Sequence, residues 1–391
     1  MTKVFWGCSE DWVPKSIFLY SDVTKIVDIN SEQFDTFYGL EVISPESIKQ
    51  EAVLNNVTII ITTGSYESVK EQLESWGLKD GYNFFVSDVM KDFACVDRLS
   101  KQIINLKFSS SDYDSVNSQR GSRLGGGIYN ARIGPYGGFT FKKEISGSFR
   151  QMASFQNGNV AAVEYVKRDI IIFDKKFNIV KSKHVDIPHM TGIAVDGDQN
   201  VFVISSGLDK IFLLDQNLEF VEEHSIPWVG EDREYGSHHI NDCHYHKNQL
   251  FFTFFSKTGA WRQGLYDGGI GVFDTQTKAI RELCCNLTQP HSPKIYENEL
   301  YFCESPKGIL WHGTENKICE IPGFIRGFHK SHDYTVLGQS DTLYISKFLR
   351  DKTIWLGAGF HVVDEANKIA EFHKVPGLKN IHDFIVEVAN D

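Results

Sequence analysis

VAAVEYVKRDIIIFDKKFNIV at 160–180 and VFVISSGLDKIFLLDQNLEFV at 201–221 follow one plan: a strand, a turn, a second strand running to Asp, a tight turn and a third strand. The plan returns in LFFTFFS…GGIGVFDTQTKAI (250–280) and in LYFCESPKGILWHGTENKI (300–318). Such a unit cannot bury both of its faces alone, so its copies must stack. Apolar four-stranded units of about 35 to 55 residues are the blades of a β-propeller. Inner strands start at Gln151, Thr191, His239, His291 and Arg326. A sixth start at His382-Asp383 has no room after it for its own remaining strands. GGGIYNARI and GGFTFKKEI, within 125–145, must supply them and close a ring of six blades.

Outward from the repeats, residues 106–122 are polar and serine-rich (SSSDYDSVNSQ) and predict a linker between a first domain at 1–105 and the propeller at 123–391. Residues 1–105 alternate short apolar runs with amphipathic helical patterns, the signature of a small α/β domain with a parallel sheet and crossover helices. KIVDI (25–29) and VTIIIT (57–62) are its strands, and 66–77 is a helix closed by Gly77. Asp28, at the tip of an early strand, stands where dinucleotide and sugar-nucleotide folds hold a ribose diol. Gly7 alone is no GxGxxG loop, so intact NAD is not expected. Asp28 therefore has two readings, a substrate-binding carboxylate or a turn cap in an assembly module.

Fifty-one acidic residues against 40 basic ones give a formal charge of −11, which argues against nucleic acid and anionic membrane as partners. Seven scattered cysteines without a CxxC pair read as reduced thiols. The opening MTKVFWGCSEDWVPK carries Glu10 and Asp11 where a signal peptide needs an apolar run, and no apolar stretch is long enough to span a bilayer. The expectation is a cytoplasmic protein.

In a propeller the first residues of every inner strand lie on one rim of the central channel, so equivalent positions converge. Those positions hold Gln151, His189, His238-His239 with Asn241 and Asp242, His291, Arg326 with His329, and His382 with Asp383. Histidine supplies only 14 of the 391 residues, so its recurrence near most blade starts marks a site. In SHHINDCHYH (237–246), strict alternation puts His239, Asn241 and Cys243 on one face and His238, Ile240 and Asp242 on the other. Without a metal, His239 or His291 is the candidate general acid or base, with Asp242 or Asp383 to orient it, and Arg326 is placed to grip a carboxylate or phosphate. Gln151, His189, Asn241, His329 and His382 join them as substrate-binding residues. A single polar residue at a blade start more often holds neighbouring backbone than performs chemistry. Three imidazoles in one channel, His239, His291 and His382, also match the ligand preference of a divalent transition metal, although no HxxxH or HExxH spacing is present. The insertion KTGAWRQGLYDGG (257–269) offers Trp261 and Arg262 for stacking on a sugar or base and holding its anionic group, or simply a hairpin tip whose tryptophan packs locally. GGGIYNARIGPYGG (125–138) is a second rim loop in this reading.

His239–Asn241, 260–262 (AWR), Gly268-Gly269, 290–293 (PHSP) and 322–327 (PGFIRG) together resemble a bacterial family of uncharacterised propeller proteins, a domain of unknown function. The resemblance implies the six-bladed fold and marks residues without naming a reaction. Gly39, Val42, Pro45-Glu46 and QLESWGL (72–78), together with Asp28, resemble the small Rossmann-like domain that opens sugar acetyltransferases of surface-glycan pathways. The preferred reading is an enzyme of bacterial surface-polysaccharide or sugar metabolism. It would act on a sugar or sugar nucleotide at the channel as a hydrolase, lyase or epimerase. The other reading is a non-catalytic binding or scaffold protein. In either case residues 1–105 would carry homo-oligomer contacts or pathway enzymes.

Overall fold

A computed structural model describes residues 2–111, 124–135, 138–228, 236–341, 357–366 and 368–387. The chain divides into two compact units, Met1–Arg98 and Leu99–Asp391.

The first unit is built on a mixed sheet. Its strands are β1 (Thr2–Trp6), β2 (Lys25–Val27), β3 (Thr36–Phe37), β4 (Leu40–Ile43), β5 (Val57–Ile61) and β6 (Phe84–Val86), and they stand in the order β3-β4-β2-β1-β5-β6. All neighbours are parallel except the β3–β4 edge pair. Ile59, Ile60 and Ile61 are fully buried, which is why β5 reads as an unbroken apolar run. The helix Tyr66–Ser75 ends as the sequence predicts: Gly77 takes a left-handed φ of 83°, its N–H reaches Glu74 O, and Leu78 N–H reaches Leu73 O. Leu73 and Leu78 pack into one core, completing the cap.

The second unit is a six-bladed β-propeller in which each blade is a four-stranded antiparallel sheet. The last strand, Asp383–Glu387, is the inner strand of blade one, and Ile104–Ser110, Gly127–Ile133 and Phe139–Ser146 complete that blade. Blades two to six begin with inner strands Phe149–Ser154, Met190–Val195, Ile240–His246, Pro290–Tyr296 and Phe324–Lys330. The expected linker at 106–122 therefore needs correction over its first residues. Ile104, Leu106 and Phe108 alternate into the core between blades one and six, and the division falls at 98/99 rather than 105/106. The rest of that stretch, 112–123, lies outside the described residues, as do Tyr136 and Gly137 of the 125–138 loop.

One apolar cluster fills each junction between adjacent blades, six in all among the described residues. Second strands such as Val160–Glu164 and Val201–Ser205 are buried throughout because a blade covers them on both faces. Each tight turn after an Asp has one cause. Asp174, for example, accepts the backbone N–H groups of Lys176 and Asn178 at 2.8 and 2.9 Å, and Asp196 and Asp215 repeat the pattern.

Candidate functional site

Five of the six inner strands carry one extra residue relative to their neighbour, between Phe149 and Met152, Met190 and Gly192, Ile240 and Cys243, His291 and Lys294, and Ile325 and Phe328. A bulge re-aims side chains. Its effect is plainest at blade four, where Ile240 and Cys243 both enter the apolar core while the residues between them, Asn241 and Asp242, do not. The alternation expected for 237–246 is thus broken. His238 points away from the ring, its Nδ1–H donating to Ser256 O at 2.9 Å.

The bulges assemble a polar cluster about the axis. Arg326 Nη1 donates to His382 Nδ1 at 2.7 Å, and Arg150 Nη1 lies against the same ring, 3.2 Å from Nε2 and 3.3 Å from Nδ1. A guanidinium only donates, so Nδ1 bears the lone pair and Nε2–H is directed at Ser111 Oγ. Burial, reinforced by both arginines, keeps His382 well below the usual imidazole range. Arg326 Nη2 stands 3.7 Å from Asp242 Oδ1, while Asp242 Oδ2 accepts Ser292 N–H at 2.9 Å. Lys294 Nζ lies 3.6 Å from Asp383 Oδ1, and Met152 N–H donates to Asp383 Oδ2 at 3.1 Å. Burial pushes Asp242 up and both arginines down, Arg150 to about 9 with Arg326's charge as the second cause. Four buried polar atoms of this cluster have no hydrogen-bond partner among the described residues: Arg326 Nε, Thr191 Oγ1, Asn241 Oδ1 and Asp383 Oδ1, the last at ion-pair distance from Lys294.

Above the cluster stands an aromatic wall. His239 packs between Phe255 and Trp261, at ring separations of 4.4 and 4.6 Å, and His291 between Phe255 and Phe324, at 5.3 and 5.6 Å. Burial, followed by the charges of Arg150, Arg326, Arg262 and His189, holds His239 down to about 3, so it is neutral near pH 7. His291 is also held far down, by burial and then Arg326. Its Nδ1–H donates to Gln289 O at 3.0 Å, leaving the lone pair on Nε2. Trp261 Nε1–H donates to Gly236 O at 3.0 Å and Arg262 lies over the indole at 5.2 Å, so the insertion packs on His239 as a lid edge. Tyr165 O–H meets His189 Nδ1 at 2.7 Å, and the Arg150 guanidinium lies 4.5 Å above its ring.

Several expectations change. Gln151 binds no ligand: its amide clamps Ile193 N–H, Cys243 N–H and Cys243 O, tying three inner strands together. Neither Asp242 nor Asp383 orients an imidazole, since their oxygens are committed to Arg326, Ser292, Lys294 and Met152. His329 sits beyond the bulge, beside Tyr296 and Lys294 and away from the ring of strand starts. No three His, Cys, Asp or Glu among the described residues stand where they could hold a metal. His239, His291 and His382 do not form the expected ligand set among the described residues, and the Nδ1 lone pair of His382 is taken by Arg326. Asp28 accepts N–H from Cys8 and Asn30, both at 2.8 Å, which is the turn-cap arrangement. Arg150 and Tyr165 were missed. The signal for Arg150 was a cation beside the first counted start, in the register that Arg326 occupies four blades on.

A family model described as a domain of unknown function, DUF4915, matches residues 146–385. A protein of unknown function from Bacteroides caccae is 9% identical, with a TM-score of 0.48, over 73% of this chain and 99% of that one. Virginiamycin B lyase from Staphylococcus aureus is 14% identical, with a TM-score of 0.41, over 70% and 89%. A gluconolactonase from Xanthomonas campestris is 14% identical, with a TM-score of 0.42, over 59% and 77%. No curated protein sequence matches the chain.

Proposed function

We propose, for a chain that belongs to the DUF4915 family, that the propeller channel is the active site of an enzyme acting on an anionic sugar or sugar nucleotide by acid–base chemistry. The observation that carries this reading is two buried guanidiniums meeting at one neutral imidazole, with Arg326 Nε, Thr191 Oγ1 and Asn241 Oδ1 left unpaired. Polar atoms buried without partners are costly, and a ligand's oxygens and hydroxyls would satisfy them. His239 is the base. Burial is the main reason its basicity is low, and an anion would offset the second, the charges of Arg150, Arg326 and Arg262. Trp261 and Phe255 supply the apolar face on which a sugar ring packs.

A place in surface-polysaccharide metabolism is supported by the first unit. Its parallel strands run β4-β2-β1-β5-β6, the doubly wound order of a Rossmann-like domain. That unit would bring pathway enzymes or a second copy of the chain to the propeller.

The test is a panel of neutral sugars, sugar acids, sugar phosphates and nucleotide sugars, read by thermal shift and by product formation in NMR. Anionic members should bind and turn over. R326Q should lose at least tenfold in affinity, and H239Q should bind but not turn over. Neutral sugars binding as well as anionic ones would defeat the reading. Binding without turnover by any member would favour the scaffold alternative.

A further inference from the structure

We infer that Thr191 and Asn241 form a hydroxyl-recognition face of the channel, which selects a polyhydroxylated ligand and orients it with its anionic end toward Arg326. The inference rests on the channel being the ligand site of the proposed function and names the side chains that read the sugar.

The five bulges put one residue of each bulged inner strand in the same register: Arg150, Thr191, Asn241, Ser292 and Arg326 on blades two to six. Neighbouring inner strands touch all the way round, and the strand Asp383–Glu387 of blade one stands between those of blades six and two. In a ring of six, blade three lies across the axis from blade six, and blade four across from blade one. The register is therefore two-sided. Arg326 and Arg150 meet His382 in an arc over blades six, one and two. Thr191, Asn241 and Ser292, all uncharged, make the opposite arc, and Asp242 beside them turns to Ser292 and Arg326.

Hydrogen bonding separates the members of the uncharged arc. Ser292 Oγ is fully employed, donating to Asp242 Oδ2 at 3.3 Å and accepting the Gly327 N–H at 2.8 Å. Thr191 Oγ1 and Asn241 Oδ1 have no partner among the described residues, although Thr191 and Asn241 are only 5% and 3% exposed. Burying such atoms unmet is costly, and isosteric valine and leucine would carry no such cost. Asp383 Oδ1, also without a hydrogen bond, faces the Lys294 ammonium at 3.6 Å and needs no ligand.

The chemistry of the two atoms decides what meets them. An amide oxygen only accepts, so its partner must bring a hydrogen, and the oxygens of an ionised carboxylate have none. A bare oxoanion can serve Arg326 Nε, which donates, but it leaves Asn241 Oδ1 unmet. A sugar hydroxyl donates to Asn241 and exchanges a hydrogen bond in either direction with Thr191. The two side chains stand on strands pressed together, since a Cβ on Gly192 would collide with Asn241 O. Neighbouring hydroxyls of one ring therefore suit the pair.

The experiment uses calorimetry on the full-length protein with pairs of ligands that share ring size and anionic group and differ in hydroxyls: glucuronate against cyclohexanecarboxylate, and glucose 1-phosphate against cyclohexyl phosphate. The parent should bind the hydroxylated member of a pair about tenfold more tightly or better. T191V and N241L should each cut that ratio about threefold or more, while R326Q weakens both members and keeps it. Without ligand, T191V and N241L should melt no lower than the parent, because each removes a buried polar atom that has no partner. Equal affinity for hydroxylated and bare anions, a ratio unchanged in T191V and N241L, or a lower melting temperature in both variants overturns the inference and leaves the proposed function standing. Failure of every anion to bind the parent removes both.

Discussion

Lowering the pH from neutrality to about 5 should destabilise the propeller steeply, because several of its histidines are folded in the neutral state. His291, His361 and His382 are 2%, 7% and 4% exposed. Burial holds His361 down to about 3 and the other two well below the ordinary imidazole value. A group whose folded pKa is depressed binds protons only in the unfolded chain as the pH falls through about 6.5, so its stabilisation is complete above that value and drains away below it. At about pH 5 His361 is about 1.5 units under its unfolded pKa, and at about 1.36 kcal/mol per unit its loss is about 2 kcal/mol, a sizeable share of the stability of an ordinary domain. His291 and His382 add to the loss in the same direction. The buried carboxylates Asp242 and Asp209 are raised by burial and oppose the trend, because they take up protons in the folded state first. Urea unfolding of the full chain, followed by tryptophan fluorescence at about pH 7.5 and about pH 5, measures the difference. His361 Nε2–H donates to Gln339 Oε1 at 2.9 Å, so H361Q keeps a donor there but cannot titrate. That variant should lose about 2 kcal/mol less than the parent over the same interval. A fall of less than about 2 kcal/mol in the parent, or an unchanged pH slope in H361Q, would refute the reasoning.

Three further outcomes test the architecture of the site. Gln151→Ala strands two buried N–H groups and one carbonyl on blades three and four, and should cost about 3 kcal/mol in urea unfolding. Gly192→Ala would put a Cβ 2.3 Å from Asn241 O, so one inner strand must move, and a loss of about 1–3 kcal/mol is expected together with weaker ligand binding by calorimetry. Exhaustive dialysis against a chelator should leave the melting temperature unchanged, since no described cluster can hold a metal; a drop of several degrees would contradict the geometry.

Composition and local pattern determined a good deal by themselves. The strand–turn–strand repeats, the Asp residues that close their turns and the apolar second strands all follow from contacts within one blade or its neighbours, so each is visible in a window of a few dozen residues. The inner-strand starts follow from the same spacing, and His239, His291, Arg326 and His382 do gather around the axis. What they do there was decided by the tertiary structure. One inserted residue per inner strand reverses which side chains face the core, so Asn241 and Asp242 fall between two core residues where simple alternation separates them. Arg150 meets His382 across 232 positions of chain, and Arg326 meets it across 56. No local window contains those pairs. Their convergence, with the burial that makes the imidazoles neutral and lowers both guanidiniums, exists only once the last strand closes the ring.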